Sequence, residues 1–410
     1  MSRPTLARRL DLGDAVVIGL GSMLGAGVFV AFGPAIRAAG PLVLVSLLLA
    51  AAVASANATS SARLAARHPE SGGTYVYGRE RLGPFWGHLA GWGFVVGKTA
   101  SCAAMALTVG AHLWPDRAHL VASAVVVLVT GIGAAGVQRS AAVTRVVVVL
   151  VLVVLLGAVV VLQVGVRRGT EVQPVLAPTP GGVLQGAGFL FFAFAGYARV
   201  ATLGEEVVDP ARTIPRAVAL SLGATLVVYV AIAVSLTGFD QDAAARSDAP
   251  LADAVAAAGV PWLGTVVRAT AVLAAGGALL ALTLGVSRTT LAMARDGHLP
   301  RALATVHPRT RVPYRAELAV GAVVLVVVLV ADVRDAIGFS SLAVLVYYAI
   351  ANAAALTLDG SRVLRLVALA GLVGCLVVAL SLPTASVLAG LAVLTVGAGT
   401  YLVRTRLRQS

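Results

Sequence analysis

The sequence predicts an all-α protein that crosses a membrane about twelve times. Three observations carry this: the composition, a succession of apolar stretches of spanning length, and two of those stretches broken by glycine. Of 410 residues, 59% are hydrophobic and 12% charged, and the mean hydropathy is +0.93. A spanning helix needs roughly 20 apolar residues. Stretches that meet this need lie near 14–37, 40–64, 84–113, 118–137, 142–165, 183–206, 215–238, 260–290, 313–332, 335–357, 363–381 and 384–403. The polar segments between them are short, so residues 1–410 read as one transmembrane domain with no soluble domain.

In chain order, the first stretch carries Gly19-Leu20-Gly21-Ser22-Met23-Leu24-Gly25-Ala26-Gly27-Val28-Phe29. Glycine runs loosen a helix, and inside a bilayer unwound backbone is tolerated only where protein buries it or it lines a cavity. No small-residue cleavage site follows a short apolar core here, so the stretch is expected to stay as a membrane helix. The third stretch holds Lys98, the one lysine of the chain, and Cys102. The fifth is a plain Val/Leu span. The sixth contains Phe191-Phe192-Ala193-Phe194-Ala195-Gly196-Tyr197 and runs on into Glu205-Glu206-Val207-Val208-Asp209-Pro210. Broken spans in matching positions of two halves point to a transporter's binding site. Cys102 and Cys375 both fall inside apolar spans, so no disulfide is expected. No CxxC, HExxH or clustered histidine pattern occurs, and the reading includes neither a metal nor a cofactor.

The net charge of +13 would suggest nucleic acid in a soluble protein. Its distribution argues otherwise. With a cytoplasmic amino terminus, that side of the membrane collects 22 arginines, from Arg3 to Arg408, against seven opposite. This is the positive-inside bias of an even-span protein with both termini in the cytoplasm. The arginines are scattered over separate segments, which disfavours a phosphate-binding surface. The expected partners are therefore the lipid bilayer and a small molecule, not nucleic acid; oligomeric state is left open.

Four motifs give the chain a family likeness. Gly21-Ser22-Met23-Leu24-Gly25-Ala26-Gly27-Val28-Phe29 is similar to a first-helix G-S/A-x-I/M-G-x-G-I/V-F pattern. Pro69-Glu70-Ser71-Gly72-Gly73-Thr74-Tyr75-Val76-Tyr77 fits a P-x-S-G-G-x-Y-x-Y loop before the third helix. Phe194-Ala195-Gly196-Tyr197 and Glu205-Glu206-Val207-Val208-Asp209-Pro210-Ala211-Arg212-Thr213-Ile214-Pro215 form the third. Ser287-Arg288-Thr289-Thr290-Leu291-Ala292-Met293-Ala294-Arg295-Asp296-Gly297-His298-Leu299-Pro300 forms the fourth. Together, and in this order, they resemble the amino acid–polyamine–organocation superfamily of permeases.

The resemblance implies a LeuT-like fold with a 5+5 inverted repeat, 14–165 and 183–357, two additional helices at 363–403, and broken helices one and six. It implies a plasma-membrane transporter of amino acids. Its substrate site takes in Ser22, Met23, Gly25, Ala26 and Gly27 from the first break and Phe192, Phe194, Ala195 and Gly196 from the sixth. Physics agrees with that placement. Freed amides at Ala26 and Gly27 begin a half-helix whose dipole favours a carboxylate. Freed carbonyls near Met23 and at Phe192, Phe194 and Ala195 suit an ammonium. The competing reading of the glycines is close helix packing. Phe192 aligns with the family's gating aromatic; packing in the bundle is the alternative.

Coupling and gating candidates follow. A cation at the bilayer centre costs about 2.5–3.5 kcal/mol on insertion scales, which singles out Lys98 and Arg199. Burial lets a lysine exchange protons near neutral pH; the alternative is that Lys98 is a structural prop. Arg199 follows Ala198, where many relatives carry an acid, so a cationic substrate is disfavoured and a neutral one favoured. Several relatives place a lysine in helix five, where this chain has Val151. Related sodium sites use adjacent hydroxyls of helix eight, but Ala274-Ala275-Gly276-Gly277-Ala278-Leu279-Leu280 has none and Thr283 stands alone. Proton coupling or exchange is therefore favoured over sodium. Glu205 and Glu206 read either as a cytoplasmic gate latch or as a solvated helix end. A permease-like sensor or structural subunit, and a polyamine or other organic amine permease, stay open as alternatives.

Overall fold

Inside lipid every backbone polar group needs a partner within the protein, and for uncharged Ala/Val/Leu runs the helix supplies it. The computed structural model describes residues 10–68, 72–136, 141–167, 178–179, 181–201, 207–239 and 241–409. Among them the chain forms helices and no strand. The first pass is α1 (Leu12–Met23), α2 (Gly27–Val30) and α3 (Phe32–Ala39), followed by α4 (Val43–Arg67), the short α5 (Thr74–Leu82), α6 (Pro84–Leu113), α7 (Ala118–Ala134) and α8 (Ala141–Arg167). The sixth pass is α9 (Gly182–Phe194) and α10 (Ala198–Ala201), followed by α11 (Pro210–Phe239), the short α12 (Gln241–Arg246) and α13 (Pro250–Ala257), α14 (Pro261–Arg295), α15 (Tyr314–Val330) and α16 (Val333–Leu356). The hairpin α17 (Arg362–Leu380) and α18 (Thr384–Gln409) completes the bundle.

Eleven helical segments among the described residues are long and apolar enough to span. The ninth expected span, α15, has 17 residues and reaches only about 26 Å at 1.5 Å per residue, slightly less than the hydrocarbon core. The order of elements recurs. A broken pass, a long helix and a short connector precede a helix of 30 residues in α6 and of 35 in α14, and each is followed by a 17-residue helix.

The breaks differ from one another. In the first pass the helix stops at Met23 and resumes at Gly27. In the sixth it tightens into a 3₁₀ turn, Ala195–Tyr197, instead of unwinding. Around them, α6 lies between α14 and α16, α1 packs on α11, and α9 on α4. Large apolar side chains such as Val146 and Leu156 of α8 and Val363 and Leu366 of α17 face outward, the pattern of a surface solvated by lipid.

Polar clamps join the buried helices. The Asn352 amide donates to Asn57 Oδ1 at 2.6 Å, and the Cys375 thiol donates to the same oxygen at 3.2 Å, tying α16 and α17 to α4. A double-mutant cycle on Asn57→Ala and Asn352→Ala, read by unfolding in detergent, should give a coupling of about 0.6–1.7 kcal/mol. Additive losses would mean the clamp contributes only packing.

Candidate functional site

The first pass begins with a capping box, in which Asp11 Oδ1 accepts from the Asp14 amide at 2.8 Å. It holds its ladder until Leu24, whose amide donates to the Leu20 carbonyl. The amides of Gly25 and Ala26 then donate to no backbone carbonyl among the described residues. Past Gly27 the ladder resumes, with Ala31 bonded to Gly27 and Ala35 to Ala31, so α2 and α3 run on as one half-helix. Its open amides and positive dipole end face the break.

The sixth break lies directly against the first. A Cβ placed on Gly196 would sit 2.3 Å from the Ser22 carbonyl oxygen and 2.8 Å from the Met23 nitrogen. A Cβ on Gly27 would sit 2.5 Å from Ala193 Cα. Only glycine permits that approach of backbone to backbone. One side chain ties the pair: the Tyr229 hydroxyl of α11 is 2.7 Å from the Met23 carbonyl and 3.2 Å from that of Ala193, sharing one proton between two acceptors. Its ring is held by Phe194 and Phe32 at centroid distances of 5.1 and 5.9 Å.

The expected site residues distribute unevenly around this contact. Met23 and Ala26 are buried, and Ala26 packs with Val109 of α6 and Ala275 of α14 to form an apolar wall. Gly25 faces Ala278. The Ser22 hydroxyl bonds back to the Ile18 carbonyl at 2.8 Å. The carbonyls of Phe191 and Phe192 both take the Ala195 amide. The Ala195 carbonyl takes Lys98 Nζ at 3.4 Å, so the buried ammonium reaches the sixth break itself. Phe192 keeps 8% exposure, whereas Phe191 and Phe194 have none and pack on Tyr348 and Tyr229.

Arg199 is not at a buried position. Tyr197 of the 3₁₀ turn and Val200 of α10 face inward, and Arg199 lies on the exposed side. Glu205 and Glu206 lie outside the described residues. Sequence reasoning missed Tyr229, which sits in the aliphatic run 226–234; its signal is a phenol at membrane depth, which needs a polar partner.

Contacts close both ends of the first pass. At the end where α1 begins, called proximal here, the Val208 amide donates to the Leu10 carbonyl at 3.0 Å, and Arg145 of α8 pairs with Asp14 at 2.6 Å. On the same side of the bundle the second and fourth motifs meet: the Tyr75 hydroxyl donates to Asp296 Oδ2 at 2.5 Å and lies 2.8 Å from His298 Nδ1. Burial, then the Asp296 carboxylate, pushes this phenol above its ordinary range. At the distal end Arg37 donates to the Ala245 carbonyl at 2.9 Å. A separate apolar cavity of about 660 Å³ lies between Trp92, Val320, Phe339 and Val393, with no lining residue from the first or sixth pass.

The close approach ranks substitutions. Gly27→Val and Gly196→Ala meet backbone and should abolish substrate binding while the protein still inserts and elutes as a single species. Gly25→Ala meets only the Ala278 methyl, which can shift, and should weaken binding less. Tyr229→Phe keeps the ring and frees two carbonyls, which should cost about 0.6–1.7 kcal/mol of stability and loosen binding. Binding by a well-inserted Gly27→Val protein at wild-type affinity would contradict the geometry.

Comparison with known proteins gives the family. The family model for amino acid permease matches residues 14–402. An uncharacterized transporter of Mycobacterium tuberculosis is 62% identical over 97% of this chain and 92% of its own length. The branched-chain amino acid permease BcaP of Bacillus subtilis is 28% identical over 76% of this chain and 72% of its own. Human cationic amino acid transporter 4 is 28% identical over 84% of this chain and 58% of its own. With broken first and sixth passes set back to back and a family match over nearly its whole length, this chain belongs to the amino acid permease family, is a transporter and not an enzyme, and works in a membrane.

Proposed function

We propose that the protein is a secondary active transporter that moves a neutral amino acid across the plasma membrane, driven by protons or by exchange. The observation that carries the substrate reading is the Lys98 ammonium on the Ala195 carbonyl. A cationic side chain would add a second positive group beside the substrate's own ammonium and Lys98, whereas the apolar wall of Ala26, Val109 and Ala275 suits an aliphatic one. The substrate carboxylate is assigned to the amides of Gly25, Ala26 and Gly27. Its ammonium is assigned to carbonyls of the sixth break, and Phe192 is assigned to close over it. The proximal end is read as cytoplasmic from the arginine distribution, with both termini there.

The recurring order of elements supports a 5+5 inverted repeat, 14–165 and 183–357, which would rock about the paired breaks. In that cycle the Asp14–Arg145 pair and the Leu10–Val207 pairing part when the proximal side opens. Glu205 and Glu206, next to Val207, are proposed to contribute to the same gate. Coupling is assigned to Lys98 because it brings a titratable amine to the sixth break, and because the Thr283 hydroxyl of α14 already bonds its own Leu279 carbonyl.

Proteoliposomes test this directly. Radiolabelled L-leucine or L-alanine should enter under an inward proton gradient or against internal substrate, L-arginine should compete poorly, and choline should replace sodium without loss. Lys98→Met should flatten the pH dependence of uptake, and Lys98→Arg should not restore it, because guanidinium stays charged. Collapse of uptake without sodium, or preferred uptake of L-arginine, would overturn the reading. Absence of any uptake would favour the sensor alternative.

A further inference from the structure

The ninth pass hides a carboxylate that the substrate site does not use. Glu317 lies one turn inside α15, has no exposed surface, and neither of its carboxylate oxygens has a hydrogen-bond partner of ordinary geometry among the described residues. Helix α7 makes room for it: a Cβ on Gly133 would fall 2.0 Å from Glu317 Oε1, so the carboxylate fills the notch that this glycine leaves. From α14, Ser287 and Arg288 lie close enough to act on the carboxylate. Arg288 itself is exposed. The other elements packed on α15 are α6 and the turn Arg301–Ala304, whose Arg301 is exposed.

A closed notch in which neither carboxylate oxygen makes a hydrogen bond of ordinary geometry is a poor place for a charge and a good one for a neutral acid. It also ends a file of buried polar groups. Lys98 reaches the Ala195 carbonyl at 3.4 Å; Cys102 lies one helical turn from Lys98; Thr283 Oγ1 is 3.6 Å from Cys102 Sγ; Ser287 Oγ donates to the Thr283 carbonyl at 2.9 Å; and Glu317 follows. These residues come from α6, α14 and α15, and all are buried. The file leads from the sixth break toward the proximal end, where α15 starts.

We propose that Glu317 is a proton-carrying site of the transport cycle. Its carboxylate takes one proton when α7, α14 and α15 close around it, and gives that proton to proximal water when they part. The charge it would otherwise bury is thereby removed. This deepens the proton-coupled reading above and rests on it.

Three variants and two readouts test the site. Glu317→Gln fits the same notch and cannot titrate. In proteoliposomes it should lose the stimulation of L-leucine uptake by an inward proton gradient and keep L-leucine exchange at the wild-type rate. Glu317→Asp should keep gradient stimulation with a shifted pH profile. Infrared difference spectra of the purified protein between acid and alkaline pH should show a protonated-carboxyl band that is absent in Glu317→Gln and shifted in Gly133→Ala, whose methyl displaces the carboxyl. Gradient stimulation and a carboxyl band both unchanged in Glu317→Gln would overturn the proposal. Wild-type protein that carries L-leucine without any response to the gradient would instead remove the coupling reading, and this inference with it. If the wild type carries no L-leucine, only the substrate reading falls, and the infrared band alone decides whether Glu317 holds a proton.

Discussion

The structure turns on the contact between two interrupted helices. Gly196 rests on the backbone of Ser22 and Met23, and Gly27 on the backbone of Ala193, at distances that leave no room for a side chain. Main chain pressed on main chain in the middle of a bilayer is permissible only where both backbones are buried and their open polar groups find uses. Tyr229 serves two of the carbonyls and Lys98 a third. What stays open is the row of amides that begins the half-helix at Gly27, and an open row of donors at a buried helix start is what an anionic substrate group needs.

The rest of the fold follows from holding that contact in place. The four motifs form two spatial pairs. The first and third motifs build the paired breaks, and the second and fourth meet at the proximal end, where Tyr75 joins Asp296 and His298. The Thr74 amide donates to the Tyr347 hydroxyl at 3.0 Å, so the same loop is also fixed to α16. One pair forms a candidate site and the other fastens the long helices α6 and α14 beside it. The exposed pair Asp14–Arg145 is weaker than either, since one partner is largely solvated. It therefore suits a contact that breaks and re-forms.

Much of this is legible in the sequence, for physical reasons. Clustered glycines within apolar stretches mark the breaks because little else explains their energetic cost at membrane depth. Long uncharged runs mark the passes for the same reason. Three things stay hidden. Position along a stretch gives depth but not direction around the helix, so Arg199 reads as deep although the 3₁₀ turn at Ala195–Tyr197 sets it on the outside. A glycine does not announce what it faces: Gly27 and Gly25 look alike in sequence, yet one meets backbone and the other a methyl group. Tyr229 and Glu317 give no sign in the sequence of what they face, because Met23 and Gly133, which they meet, are more than a hundred residues away in the chain.

If the two breaks together form the substrate site, a structure determined by electron cryo-microscopy with L-leucine bound will show the carboxylate on the amides of Gly25, Ala26 and Gly27, with the ammonium on carbonyls of the sixth break and the side chain against Ala26, Val109 and Ala275. Density for the amino acid elsewhere, as in the apolar cavity between Trp92 and Val393, with the breaks unaltered and empty, would contradict it.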